Sequence, residues 1–159
     1  MSKIPLLFTY RDRVVGMGFA AHVSTHGRVL AVAEGDEDQI WIYGVEPGAL
    51  AASGSDPKEA LEALREAFAN VLRDFAADAR DFASFEASVQ AFFEAVNRPH
   101  EQEWRLAVEE VRAGRVDVQN LRREPAESHR FVEIREDRPV DQKRDFTVTG
   151  SSIKSVVAA

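Results

Sequence analysis

The chain has 159 residues, of which 45% are hydrophobic, and it contains no cysteine, so disulfides and thiolate zinc sites are excluded. Its formal net charge of −7 argues against non-specific nucleic-acid binding, which needs a basic footprint, and is compatible with a basic protein partner. No apolar stretch is long enough to span a bilayer, and the N-terminus is a poor signal peptide. We therefore expect a cytoplasmic protein that does not contact membranes.

Residues from about 6 to 54 have the patterns of β-strands. Apolar side chains alternate from Met17 to Val23, and the run "RVLAVAE" continues in the same style before a charged turn at residues 34–39. In "IWIYGVE", residues 40–46, isoleucines occupy one face, while Trp41, Tyr43 and Val45 occupy the other. A sheet with two apolar faces must be covered on both sides, by helices of the same chain or by another subunit.

A turn at "EPG" and a short strand of small residues, "ALAAS", lead into the clearest helix signal. Asp56 is a natural N-cap, Pro57 suits the first helical position, and Glu59 can complete a capping box. The apolar residues that follow are spaced three and four apart, so they form one stripe that should lie against the sheet. That stripe consists of Leu61, Leu64, Phe68, Val71, Leu72, Phe75 and Ala79.

Two further helices are predicted after this one. The second begins near Ser84, has an apolar side that includes Phe85, Val89 and Phe93, and is ended by residues 97–99, "NRP", since the residue before a proline is disfavoured in a helix. The third runs from about residue 100 to 113, where Gly114 is a reasonable C-cap. Its inward-facing residues are expected to be Trp104, Ala107, Val108 and Val111.

The segment from Arg115 onward has weaker patterns. It holds nine Lys and Arg residues and eight Asp and Glu residues, so its net charge is +1 and the remainder of the chain carries −8. The runs "VDVQNL", "RFVEIRE" and "DFTVTG" each predict a short strand between charged, proline-containing stretches. We expect this tail to be partly disordered, or ordered only against a partner.

Residues 16–78 resemble the HicB-like antitoxin domain, a small β-β-β-α unit related in shape to a reduced RNase H fold. The resemblance is carried by Pro47-Gly48, Ala51, Gly54, Asp56, Glu59-Ala60-Leu61 and Glu66-Ala67, in that order after two apolar strands. It implies an α+β fold, with a HicB-like domain at residues 1–80, an appended helical pair at 81–114 and a tail at 115–159. It also implies a homo-oligomer. Members often carry a DNA-binding helical motif, but the predicted helices over 84–113 are acidic in places, so DNA binding is doubtful.

The resemblance implies a function as an antitoxin that binds and neutralises a small basic toxin, of an RNA-cleaving class, without catalysis of its own. The alternative is a self-associating interaction or scaffold domain with no toxin partner. The residues proposed to bind the partner are the aromatic side chains Trp41, Tyr43, Phe131 and Phe146, because such residues dominate interface energetics. Trp41 and Tyr43 can also be interpreted as core residues beneath the second or third helix.

Candidate chemical groups are few, and we expect no catalytic residues, no bound metal and no cofactor. His22 and His26 are four residues apart and share one face of a strand, which makes a metal site conceivable, but no third ligand accompanies them. The acidic run at Glu34, Asp36, Glu37 and Asp38 lacks the EF-hand spacing and is better explained as a solvated turn.

Overall fold

The computed structural model describes residues 2–33, 38–118, 121–125 and 130–137, together with the backbone of 156–158. Four strands come first: β1 (Ser2–Gly16), β2 (Phe19–Ala33), β3 (Ile40–Glu46) and β4 (Ala51–Gly54). Three helices follow: α1 (Pro57–Asp78), α2 (Phe82–Glu94) and α3 (Arg98–Arg112). The last strands are β5 (Arg122–Glu124), β6 (Phe131–Glu136) and β7 (Val156–Ala158). The predicted α+β class is confirmed.

A long antiparallel hairpin organises the sheet. β1 and β2 pair along their whole lengths, from Ser2 opposite Ala33 to Gly16 opposite Phe19. The other edge of β2 is shared by two strands, because β3 pairs with residues 28–33 and β6 pairs with residues 21–26. The full order is β4-β3-β2-β1-β7-β5, with β6 on β2 outside this path. The structure therefore places four strands before α1, where the resemblance implied three.

Alternation along the strands separates the two sheet faces. On the first face, Phe8, Val23 and Ile42 belong to a buried cluster with the apolar sides of α1 and α2. On the second face, four sheet residues pack against Trp104, Ala107 and Val108 of α3; these sheet residues are Leu7, Leu30, Val32 and Val45. Both apolar faces are thus covered by helices of the same chain, so neither face needs a second subunit.

The junction between β4 and α1 combines a close approach with a helix cap. A Cβ on Gly54 would lie 2.4 Å from the backbone nitrogen of Ala60, so only glycine allows the strand to end this near the helix. The Asp56 side chain accepts a hydrogen bond from the Glu59 backbone N–H at 2.8 Å, which confirms the predicted N-cap. The Glu59 carboxylate reaches back to Ser55 rather than to Asp56, so the return bond forms one residue earlier than in a capping box.

The connection between α2 and α3 crosses from one sheet face to the other. α2 begins at Phe82 behind a capping box of Asp81 and Ser84, slightly earlier than the predicted start at Ser84. The interpretation of Pro99 as a stop for α2 is wrong, since α2 ends at Glu94 and Pro99 lies in the first turn of α3. Backbone hydrogen bonds tie this connection to the turn between β3 and β4, from Gly48 to Ala95 and from Asn97 to Val45.

The predicted tail strands have three different outcomes. The run "RFVEIRE" forms β6, as expected. The prediction of a strand over "VDVQNL" is wrong for residues 116–118 and 121, because pairing begins only at Arg122. The run "DFTVTG", which contains Phe146, lies outside the described residues.

The buried stripe of α1 generates a stability prediction. Leu64 is 1% exposed, so Leu64→Ala should lower the free energy of unfolding by about 2–5 kcal/mol through lost burial and a residual cavity. Leu106→Ala is the matched control, since Leu106 is 67% exposed and its truncation should change stability by less than about 0.5 kcal/mol. Chemical denaturation measures both, and equal midpoints for Leu64→Ala and wild type would contradict the packing of α1 on the sheet.

Candidate functional site

Two of the four proposed partner-binding residues form a stack beside α3. The rings of Trp41 and Tyr43 are nearly parallel, with centroids 5.9 Å apart. Tyr43 also contacts His100 in the first turn of α3, at 4.8 Å between ring centroids. Both tryptophan and tyrosine side chains are partly exposed. They therefore cover one end of the α3 interface and still present ring surface to solvent.

Phe131 lies at the other end of the same sheet face. It is 37% exposed, pairs in register with His26 and stacks on the His26 ring at 6.0 Å. Trp41 pairs with Val32, which is six residues further along β2, a distance of about 20 Å in a strand. The structure therefore does not bring Phe131 together with Trp41 and Tyr43 in one contact patch.

The two histidines of β2 share a face, as their spacing predicts, but other groups surround them. His22 lies 3.7 Å from the carboxylate of Asp137, and His26 stacks on Phe131. Within the described ranges no three His, Asp or Glu side chains are grouped so as to hold a metal ion. In the acidic turn, Glu34, Asp36 and Glu37 lie outside those ranges, whereas Asp38 lies within them.

A buried arginine lies between the Trp41–Tyr43 stack and the His26–Phe131 stack, and the sequence analysis did not identify it. Arg28 of β2 is only 2% exposed. Its Nη2 donates to Glu46 of β3 at 3.0 Å and to Glu101 of α3 at 3.1 Å. Its guanidinium carbon lies 5.4 Å from the centroid of the Trp104 ring, which adds a cation–π contact. One side chain thus joins two strands and a helix.

The two carboxylates that bind Arg28 also bind other arginines. Glu101 accepts hydrogen bonds from Arg98 at 2.8 Å and from Arg105 at 3.4 Å. Glu46 forms an ion pair with Arg130 at 3.3 Å. Burial alone raises the pKa of Glu101, but hydrogen bonds from Arg98 and Arg28 and the charges of Arg28 and Arg105 outweigh it and lower the pKa to about 2. Glu101 is therefore ionised across the physiological range.

A cleft of about 740 Å³ opens beside this network, between α3 and the second face of the sheet. We call it the arginine cleft, because Arg28, Arg105, Arg112 and Arg130 contribute to its walls. Its apolar lining is formed by Trp104, Leu106 and Val108. A concave apolar surface with a few charged groups at its rim is the usual form of a ligand site.

A regular spacing in the sequence could have revealed part of this cleft. Arg98, Arg105 and Arg112 are seven residues apart, which places them on one side of a helix, two turns from each other. Arg28 and Arg130 carry no comparable signal, because their positions beside α3 depend on strand pairing.

The outer layer of α1 and α2 has the opposite charge. Residues 56–94 carry nine carboxylates and four cations, a net charge of −5. Most of these carboxylates are exposed, among them Glu62, Glu66 and Asp74. The acidic layer and the arginine cleft lie on opposite sides of the sheet, so the net charge of −7 hides two surfaces of different sign.

None of the described helices combines the length and apolar character needed to cross a membrane. No family model matches the chain, and no curated protein or solved structure matches it either.

The low pKa of Glu101 predicts a pH dependence of stability. Since the folded-state pKa of about 2 lies below the ordinary value of 4.5, this group contributes its full stability above pH 4.5 and loses it as the pH falls towards 2. Glu101→Gln should lower the free energy of unfolding by about 3 kcal/mol at neutral pH, because it leaves a buried arginine short of a counter-charge. The Glu101→Gln variant should also lose much less stability than the wild type between pH 4.5 and pH 2.

Glu109→Gln is the control, because the Glu109 side chain is 64% exposed in its pair with Arg112 and such pairs contribute little. Urea denaturation at several pH values measures both variants. If Glu101→Gln and wild type lose stability in parallel below pH 4.5, Glu101 is not the group responsible.

Proposed function

We propose that this protein is a non-catalytic antitoxin that binds and neutralises a small basic protein toxin. The observation that carries the proposal is the order of β2, β3, β4 and α1, with β4 made of small residues, Gly54 at its end and Asp56 as the helix cap. This is the order in which the HicB-like domain places its three strands, glycine and capped helix. An RNA-cleaving toxin is the partner class that the resemblance implies.

In this proposal the HicB-like unit comprises β2 to α1, and the rest of the chain is built around it. β1 adds a strand to one edge of β2. β6 adds another to the half of β2 that β3 leaves unpaired. α2 and α3 then cover the two faces. In the proposed family fold, β1 therefore precedes the HicB-like unit, and α2, α3 and β6 follow it.

The acidic layer is the surface that we assign to the basic partner. A net charge of −5 over residues 56–94 attracts a cationic protein at long range and speeds its encounter. The layer is also built on two capped, well-packed helices, which hold the carboxylates on a rigid support. Rigid presentation reduces the entropy that is lost when a partner binds.

The test is co-purification of the full chain from its native organism, followed by a growth-rescue assay with a short basic protein encoded beside it. Glu62→Lys combined with Glu66→Lys should weaken binding and rescue, since both residues are exposed on α1 and the change reverses the local field. Glu109→Lys with Glu133→Lys is the matched control, with the same change in net charge on the other side of the sheet.

Equal loss in both double variants would show that only total charge matters and would contradict docking at the acidic layer. The absence of any neighbour-encoded basic partner, together with a stable homo-oligomer, would replace the antitoxin proposal by the self-associating alternative.

One observation favours that alternative. Val15 and Met17, at the tip of the β1–β2 hairpin, are 65% and 83% exposed. Exposed apolar side chains promote association between chains.

If self-association is the function, light scattering should give an oligomer at micromolar concentration. Val15→Glu with Met17→Glu should shift it towards a monomer, because the double change places charges in the contact. Leu106→Glu is the control, as another exposed apolar residue away from the hairpin tip. A clean monomer of the wild-type chain would exclude this alternative.

A further inference from the structure

We propose that the arginine cleft binds an acidic peptide segment of a partner, in which two carboxylate side chains flank an apolar one. The cleft lies on the face of the sheet opposite α1 and α2, so this site is separate from the acidic layer assigned to a basic partner. Its occupant is defined by three features of the described residues: charge, prearranged donors and an apolar wall.

The charge around the cleft is positive in an otherwise acidic protein. Among the described residues, five arginines, three carboxylates and no lysine make up the ion pairs at this site; the arginines are Arg28, Arg98, Arg105, Arg112 and Arg130, and the carboxylates are Glu46, Glu101 and Glu109. Two positive charges are therefore in excess. Arginine clusters of this kind recognise acidic motifs, because the guanidinium fork matches a carboxylate.

Arg105 and Arg112 lie at the rim of the cleft, where each can exchange its present carboxylate partner for one of a ligand at little cost in free energy. The Arg105 side chain is 71% exposed and its bond to Glu101 is long, at 3.4 Å. The Arg112 side chain is 44% exposed and pairs with Glu109. The Arg112–Glu109 pair is exposed on both sides and contributes little to stability, and Glu101 keeps its bonds to Arg28 and Arg98 when Arg105 moves away. A peptide carboxylate can therefore replace or join the existing partner of either arginine.

Arg28 acts below the rim as a positioning residue. By binding Glu46 and Glu101 it fixes the two carboxylates that also hold Arg130 and Arg105 at the walls. This arrangement places the donors before a ligand arrives, which lowers the entropy lost on binding. Its Nε–H is buried and has no hydrogen-bond partner among the described residues, an unmet donor of the kind that a bound anion satisfies.

The apolar wall and the spacing of the arginines define the peptide more closely. Leu106 is 67% exposed beside the buried Trp104, a surface suited to an apolar side chain of the ligand. Arg105 and Arg112 are two helical turns apart, about 10 Å. In a peptide with the polyproline II conformation, which has three residues per turn, carboxylates three residues apart lie on the same side and are separated by about 9 Å. The peptide sequence that fits has two acidic residues separated by two others, one of which is apolar.

Fluorescence anisotropy tests the site with a labelled peptide that has a Glu-Leu-Ser-Glu core and blocked termini. We expect binding that weakens as salt rises, and at least a tenfold loss of affinity in Arg105→Gln combined with Arg112→Gln. Arg73→Gln with Arg80→Gln is the matched control, since it removes the same charge from exposed positions outside the cleft, and it should bind as wild type does.

Three further comparisons make the outcome decisive. Leu106→Ala should weaken peptide binding several-fold, and a peptide with Lys in place of both Glu residues should not bind. Trp41→Phe leaves Trp104 as the only tryptophan, so a change in its fluorescence on peptide addition reports contact with the cleft wall. Absence of peptide binding at millimolar concentration, or equal loss in the control variant, would overturn the proposal. Neither result bears on the antitoxin proposal, whose test uses Glu62 and Glu66.

Discussion

A sheet whose two faces are both apolar must be covered on both sides, and this constraint shapes the rest of the molecule. α1 and α2 bury one face, and α3 buries the other with Trp104, Ala107 and Val108. The chain must therefore pass around the sheet between α2 and α3. It does so beside the β3–β4 turn, where Gly48 donates a hydrogen bond to Ala95 and Asn97 donates one to Val45.

The way α3 is attached combines apolar burial with a buried ionic network. Trp104 and its apolar neighbours remove a large area from water, which is the main stabilising term. The bonds of Arg28 to Glu46 and Glu101 add orientation, since a buried ion pair often contributes little net stability relative to apolar side chains but is costly to break. We infer that the network sets where α3 sits along the sheet, and that the arginine cleft exists because of that position.

The helices that cover the two faces differ in surface charge, so the molecule has one acidic side and one side rich in arginine. The outer surface of α1 and α2 is acidic, with a net charge of −5 over residues 56–94, whereas the α3 side gathers arginines at 28, 105, 112 and 130. The two proposed binding modes follow from this separation, because a cationic protein and an acidic peptide are attracted to opposite sides. A single value for net charge conceals such an arrangement.

The sequence by itself determined the features that depend on neighbouring residues. The cap at Asp56 and the inward side of α3 were predictable, because capping and helical periodicity act over three or four positions. The same periodicity identified Leu64, Phe68 and Leu72 as buried residues of α1, but it did not identify the buried alanines at 60, 69 and 76. Only the tertiary structure decided which element covers each face, and that β1 extends the sheet. It alone brought together Arg28 and Glu101, which are 73 positions apart. Local propensity contains no information on such a contact, since it forms only after the strands have paired and the chain has crossed the sheet.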